Sequence, residues 1–308
     1  MLLLNEKKMK KSVAVLLVCL FLFSFLPAFA DTARGTDQQE HRGENGQSNE
    51  LPAEKKPNPA SPRYLLADHA AMYGSLARLD FSGILLLGGL GAATWLLINN
   101  DEGIYRDIKQ FQARNNVVDR LSPFLSELCQ GWSWAAALSF LGVGWLSGRE
   151  KTVETGSLAL QAMFHSFVVI QLVKHLTGRQ RPSWDQGRDE WAGPAGFFKR
   201  YEDGQWARYD AFASGHTITI WSLATVIASR YNNSFLIPAI CYTLAGLAGL
   251  ATITEDLHWI SDVFIAAVAG YAIGRMVLAR HRVRSKAFTI SPYFGKRGSI
   301  GLSLSLSF

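Results

Sequence analysis

The run 257-LHWISDVFIAAVAGYAIGRMVL-278 opens with a histidine and, four residues on, a carboxylate, then continues as an apolar stretch. From Ile260 to Leu278 only Asp262 and Arg275 carry charge. A helix rises ~1.5 Å per residue, so about 20 apolar residues match the ~30 Å hydrocarbon core of a bilayer. The same texture recurs upstream in Phe81–Ile98, Trp132–Leu146, Ser157–Val173, Thr217–Ala228 and Phe235–Ile253. The first of these is bounded by Asn99-Asn100-Asp101. A soluble enzyme with a buried helical bundle has similar periodicity. The number of apolar segments and the scarcity of charges inside them favour the membrane. The expected fold class is therefore all-α: a multi-span membrane bundle of about five to six helices.

Around these runs the chain changes character. Residues 1–30 read as a signal peptide: Lys7, Lys8, Lys10 and Lys11, an apolar core from Val13 to Leu26, then Ala28-Phe29-Ala30. Its removal takes the net charge from +6 to +3, which is no nucleic-acid-binding balance, and no basic stripe with interleaved aromatics is present. Residues 31–63 are polar and rich in Pro and Gly, and read as a disordered linker. The polar front also explains a mean hydropathy of only +0.07. Residues 64–154 are expected to supply the first helices of the bundle. Within them, Glu102–Leu128 has apolar residues at helical spacing among charges and reads as an amphipathic helix. Cys19 lies in the signal core, after Val18 instead of a small residue, which argues against a lipoprotein site. Cys129 and Cys241 read as small buried hydrophobes. In the tail, 281–308, Ile300, Leu302, Leu304, Leu306 and Phe308 alternate with small residues. This strand period predicts a hairpin with Phe288–Ser291 through Gly295-Lys296-Arg297-Gly298.

Three short signals sit at the ends of apolar runs: Lys174-x6-Arg181-Pro182, Ser214-Gly215-His216 and His258-x3-Asp262. Each is weak alone; their order and placement give them weight. Lys174 and Arg181 supply cations for phosphate oxygens. Ser214 and the Gly215 amide supply neutral donors where a helix begins. Two histidines remain for nucleophile and proton donor, and a carboxylate to orient one of them. Four residues apart on a helix, His258 and Asp262 would share a face, Asp262 fixing the tautomer of His258. Fixed cations and amides could hold the transferring group, so no metal or other cofactor is expected. His165 reads as a core histidine. His175 and Arg179 flank the first signal, and His41, His69 and His281 suggest no chemistry. The loop Arg179–Asp210 is long and carries Trp184, Trp191, Phe197, Phe198 and Trp206. It reads equally as a cap over the site and as a segment pinned to the bundle by its rings.

These residues resemble the type 2 phosphatidic acid phosphatase superfamily, which also contains the vanadium haloperoxidases. The resemblance covers about Gly156 to Arg280, and residues 155–280 are expected to form the catalytic core. The first motif, Lys-x6-Arg-Pro, is complete. In the second, Ala213 replaces Pro before Ser214-Gly215-His216. In the third, Ser-Arg-x5-His-x3-Asp, Ala251-Thr252 replace Ser-Arg while His258 and Asp262 stand. The resemblance implies a membrane-bound, metal-independent phosphatase acting on a lipid phosphate or diphosphate through a phosphohistidine. His258 would be the nucleophile, His216 the acid and base, and Asp262 the orienting carboxylate. Lys174, Arg181, Ser214, Gly215 and Thr252 would bind the phosphate. Thr252 keeps a hydroxyl but loses the family's third cation, and Arg179 is the nearest substitute in sequence. A regulatory homologue that binds phosphate with little turnover, and a vanadium-dependent haloperoxidase, are the alternatives. The bilayer is the expected partner, in a bacterial inner membrane. Counting crossings from an exported signal puts the site in the cytoplasm. Arg280, Arg282, Arg284 and Lys286 after the last span argue for a periplasmic site, which is the orientation expected here.

Overall fold

The computed structural model describes residues 81–184, 189–202, 207–285, 289–294 and 300–305. The expected signal peptide and linker, and Trp206, lie outside them. Helix α1 spans Phe81–Arg114, α2 Asn116–Leu128, α3 Gly131–Leu146, α4 Glu150–Thr177 and α5 Ala195–Glu202. Then follow α6 at Gly215–Arg230, α7 at Leu236–Thr254 and α8 at Ile260–Ser285.

Among the described residues, four segments are long and apolar enough to cross a membrane: Phe81–Arg114, Glu150–Thr177, Leu236–Thr254 and Ile260–Arg282. Their outward faces carry exposed Leu85, Leu96, Phe167, Leu172, Leu247 and Leu250. In water such faces would promote association; against lipid tails they are at home. The chain is a membrane protein with several spanning helices. The expected runs Trp132–Leu146 and Thr217–Ala228 lie in α3 and α6, each of 16 residues and shorter than a full crossing requires.

Two features of the expected fold are corrected. The Asn99-Asn100-Asp101 cluster does not end the first span, because α1 runs through it for 34 residues. Asn99 and Asn100 donate back to the carbonyls of Trp95 (2.7 Å) and Leu96 (2.8 Å), which keeps their polar groups inside the helix's own bonding. The break comes at Asn115, in extended conformation, so the predicted amphipathic segment is divided between the end of α1 and α2. The second correction is to the fold class. A bundle of about five to six helices with a C-terminal hairpin was expected; the bundle is built from α1 to α8, and it is all-α. Strands β1 (Thr289–Phe294) and β2 (Ile300–Ser305) pair antiparallel with each other and, among the described residues, with no third strand. None of the described helices packs extensively on them. A lone two-stranded ladder of that kind is marginal by itself and forms no layer of this fold.

Close helix contacts are made through glycine. A methyl built on Gly144 of α3 would lie 2.6 Å from the Val153 nitrogen of α4. One on Gly156 of α4 would lie 2.6 Å from the Leu141 nitrogen. On α8, methyls at Gly270 and Gly274 would lie 2.5 Å from the Ile218 carbonyl oxygen and 2.8 Å from Thr225 Cβ of α6. This small-xxx-small spacing lets backbones approach where apolar burial gives little driving force. Helix α6 is central, packed on α4, α7 and α8. The consequence for function is a common end of the bundle. The C-terminal ends of α4 and α7 meet the N-terminal ends of α6 and α8 there. Gly178, in the left-handed region at φ 50°, caps α4 and turns the chain into the loop that follows.

Candidate active site

His258 lies in the short link between α7 and α8, just before the helix on which it was expected. Its main chain is tied down by the Thr252 carbonyl, which accepts from the N–H groups of Leu257 (3.0 Å) and His258 (3.3 Å). The imidazole is wholly buried. Its Nδ1 is 2.9 Å from the Ala211 carbonyl oxygen, and its Nε2 is 3.0 Å from Nδ1 of His216. A carbonyl only accepts, so His258 Nδ1 must hold the proton and Nε2 must be the bare nitrogen. His216 then donates from Nδ1 to His258 Nε2. The far nitrogen of His216, Nε2, is left to accept from the Gln130 amide. One backbone carbonyl thus sets the tautomers of both rings.

The expected bond from His258 to Asp262 is not formed: Nδ1 and Oδ2 are 3.8 Å apart. Asp262 is occupied elsewhere. Its Oδ2 accepts from the Trp259 N–H at 2.8 Å, capping the start of α8, and its Oδ1 accepts from Arg179 Nη1 at 2.7 Å. Its carboxylate still favours a positive charge on the ring at 3.8 Å, while the Ala211 carbonyl does the orienting.

Arg179 is wholly buried and was suggested from sequence as a substitute phosphate cation. It serves another end. It donates to Asp189 (2.8 Å), Asp101 (2.7 Å), Asp262 (2.7 Å) and Ser261 (2.7 Å). Its guanidinium is also 4.7 Å from the centroid of Trp191 and 5.1 Å from that of Trp259. Burial opposes its charge, but the three carboxylates outweigh that and hold its pKa above the usual value. Arg179 therefore joins α1, the loop and α8, and its guanidinium is spent on three carboxylates and a hydroxyl. Of the loop aromatics, Trp191 is buried against Arg179 and pins the segment, whereas Phe198 is exposed. The loop backbone is also fixed. Ala192 N–H donates to the Gly178 carbonyl, Arg181 N–H to that of Arg208, and Ala211 N–H to that of Arg179, each at 2.9 Å.

The two expected cations converge. Lys174, at the end of α4, has its Nζ 3.3 Å from Asp210 Oδ2. Arg181 reaches Asp210 Oδ1 through Nε at 2.9 Å and Nη2 at 2.7 Å. Burial alone would raise the Asp210 pKa, but Lys174 and Arg181 together lower it. His258 is driven the other way from an acid: burial, then Arg181 and Lys174, hold its pKa well below the ordinary imidazole value. Gly215 lies under Lys174, since a methyl there would be 3.5 Å from Nζ. Ser214 caps α6, its oxygen accepting from the Thr217 N–H (3.1 Å) and hydroxyl (2.9 Å), which leaves its own O–H as a donor. Thr252 is fully buried and its hydroxyl donates to the Gly249 carbonyl at 2.7 Å. It thus brings no charge, and its hydroxyl is spent within α7. The residues that reading the sequence overlooked are Gln130, Asp210 and Ala211. Only Asp210, a lone carboxylate four residues before Ser214, carried any visible signal.

A family model described as the PAP2 superfamily matches residues 155–286. Over 86 residues the chain is 31% identical to "Lipid A 1-phosphatase" of Porphyromonas gingivalis. That stretch is 28% of this chain and 19% of the relative, so the chain spans about a fifth of that protein's length. Among solved structures, that of Aquifex aeolicus LpxE has a TM-score of 0.44 at 22% identity, over 57% of this chain and 93% of that one. The crystal structure of the first transmembrane PAP2 type phosphatidylglycerolphosphate phosphatase, from Bacillus subtilis, has a TM-score of 0.32 at 14% identity. It covers 60% of this chain and 97% of that one.

Proposed function

We infer that the chain is a PAP2-superfamily protein, since that family model matches residues 155–286, and on that premise we propose that it is a membrane phosphatase that cleaves a lipid phosphate or diphosphate through a phosphohistidine on His258. The observation that carries the proposal is the bare Nε2 of His258, held by Ala211 and facing His216 beside Lys174 and Arg181.

On this reading the substrate phosphate enters between the two rings. Its oxygens take donors from Lys174, Arg181, Ser214 and the amide of Gly215, and its charge favours the imidazolium form of His216. The Gln130 amide has both a donor and an acceptor end, and can face either protonation state of that ring. His258 Nε2 forms a bond to phosphorus as the bond from phosphorus to the lipid oxygen breaks. That oxygen leaves with the Nδ1 proton of His216. The neutral His216 then takes a proton from water, whose oxygen attacks phosphorus. Inorganic phosphate departs and Nε2 of His258 is restored. Positive charge on the His258 ring in the intermediate is stabilised by Asp262. Residues 155–280 make the catalytic unit, with the preceding helices buttressing it.

Preorganised donors and cations of this kind suffice for phosphoryl transfer, so activity should survive a chelator. Purified protein in detergent with EDTA should release phosphate from lipid A 1-phosphate or phosphatidylglycerophosphate. His258→Ala should abolish release, and His216→Ala should lower it by about 10²- to 10⁴-fold. Full activity in either variant would sink the mechanism. Thr252, in place of a cation, supports a second reading, a phosphate-binding homologue with little turnover. Phosphate binding without release from any lipid phosphate would favour that one. We place the site at the periplasmic face of a bacterial inner membrane. The support is Arg280 and Arg282 at the end of α8 remote from the site, since positive flanks stay inside.

A further inference from the structure

The phosphate cradle already holds an anion. Asp210 places one carboxylate oxygen on both Nε and Nη2 of Arg181 and the other on Lys174, the two cations expected to bind substrate. It is not sealed away, because its side chain keeps 16% of its surface and that of Arg181 keeps 13%. The remaining position at which the family pattern has a cation is Thr252, whose hydroxyl is turned to Gly249. Lys174, Arg181 and Asp210 thus sum to a single positive charge where the family pattern has three cations and names no carboxylate among its phosphate-binding positions.

We propose that Asp210 is a specificity-determining residue, a resident carboxylate that an incoming anion must displace from Lys174 and Arg181, so that the site admits dianionic phosphate termini and excludes monoanions such as phosphodiesters and carboxylates. This deepens the functional reading above and rests on it for the location of the cradle. A monoanion replacing Asp210 exchanges one negative charge for another and gains nothing. It also leaves the displaced carboxylate unpaired in a partly buried place. A monoester dianion or a terminal diphosphate brings the second charge that makes the exchange favourable, and it engages the fork of Arg181 in the same way. Selectivity of this kind comes from a built-in repulsion as much as from attraction. It suits a site at a membrane face, where phosphodiester headgroups vastly outnumber monoester termini.

The test uses full-length protein in detergent at pH 8 and needs no turnover. Calorimetry compares inorganic phosphate with dimethyl phosphate, a diester monoanion. Wild type should bind phosphate and not dimethyl phosphate. Asp210→Asn should bind phosphate about tenfold more tightly, on the scale of one removed charge, and should admit dimethyl phosphate. Asp210→Glu should retain the wild-type preference. If the enzyme turns over, Asp210→Asn should lower KM and also kcat as product is retained. A variant that merely loses the positioning of Lys174 and Arg181 would bind phosphate more weakly, and that result overturns the proposal. So does wild-type protein that binds both anions equally, an outcome that depends on no variant folding. If Asp210→Asn changes anion selectivity as described while no lipid phosphate is hydrolysed, the phosphatase reading falls and this one stands.

Discussion

Arg179 shows how much of this site is held by residues that do no chemistry. One guanidinium neutralises parts of Asp101, Asp189 and Asp262, all deeply buried. Breaking such a group by removing one partner leaves uncompensated buried charge. Arg179→Ala should therefore destabilise the protein by about 3–5 kcal/mol, read as a lower melting temperature in detergent. Arg179→Lys should rescue little, because a point charge does not serve several carboxylates at once. A melting temperature unchanged in Arg179→Ala would show that the network holds nothing together. His258 gives a second prediction. Its pKa is held below the ordinary 6.5 by burial and by Arg181 and Lys174, so the ring stays neutral as pH falls through 6.5. The unfolded chain takes up a proton there and the folded one does not. The stability contributed by this ring is thus full above pH 6.5 and is lost as pH falls below it. Histidine NMR should show one resonance, absent in His258→Ala, that does not titrate between pH 5.5 and 8. A midpoint near 6.5 for that resonance would contradict the description of the site.

At the scale of elements, the contact between α6 and α8 matters most, because α6 carries His216 near its start and α8 directly follows His258. Gly270 and Gly274 allow their backbones to meet. Gly270→Ala puts a methyl 2.5 Å from the Ile218 carbonyl oxygen, and the helices must separate. The expected loss is about 1–3 kcal/mol in stability, the usual scale of overpacking, with a lower kcat from a widened pair of histidines. Gly246→Ala is the control, since nothing lies within 4 Å of a methyl there. Equal effects at both positions would mean that close approach is not the reason for glycine at 270. Element limits were legible where apolar runs end at polar turns, as at the close of α4 and the start of α6. They were not legible at Asn99 and Asn100. Those residues look like a turn in sequence, but in a helix their amides are satisfied by carbonyls one turn back.

For the whole molecule, sidedness is the property with the widest consequences, since it limits which substrates the proposed site can meet. The site lies where α4 and α7 end, and α8 carries Arg280 and Arg282 to the opposite end of the bundle. Ser183 is exposed in the loop at the site end. On the periplasmic orientation proposed above, Ser183→Cys, with Cys129 and Cys241 replaced, should react with a membrane-impermeant maleimide while the inner membrane is intact. Labelling only after that membrane is opened would place the site in the cytoplasm. What the amino-acid sequence determined by itself was the helical class, the apolar runs and the three signals that carry Lys174, Arg181, Ser214, His216, His258 and Asp262. Those are local properties: hydrophobic period and residue type at short spacing. Only the tertiary structure decided which partner each of them has. Ala211, not Asp262, orients His258; Arg179 faces three carboxylates; and Asp210 lies between the two cations. These pairings join residues up to 83 positions apart. They are settled by where helix ends converge and by the need of every buried charge for a partner, which no short stretch of sequence encodes.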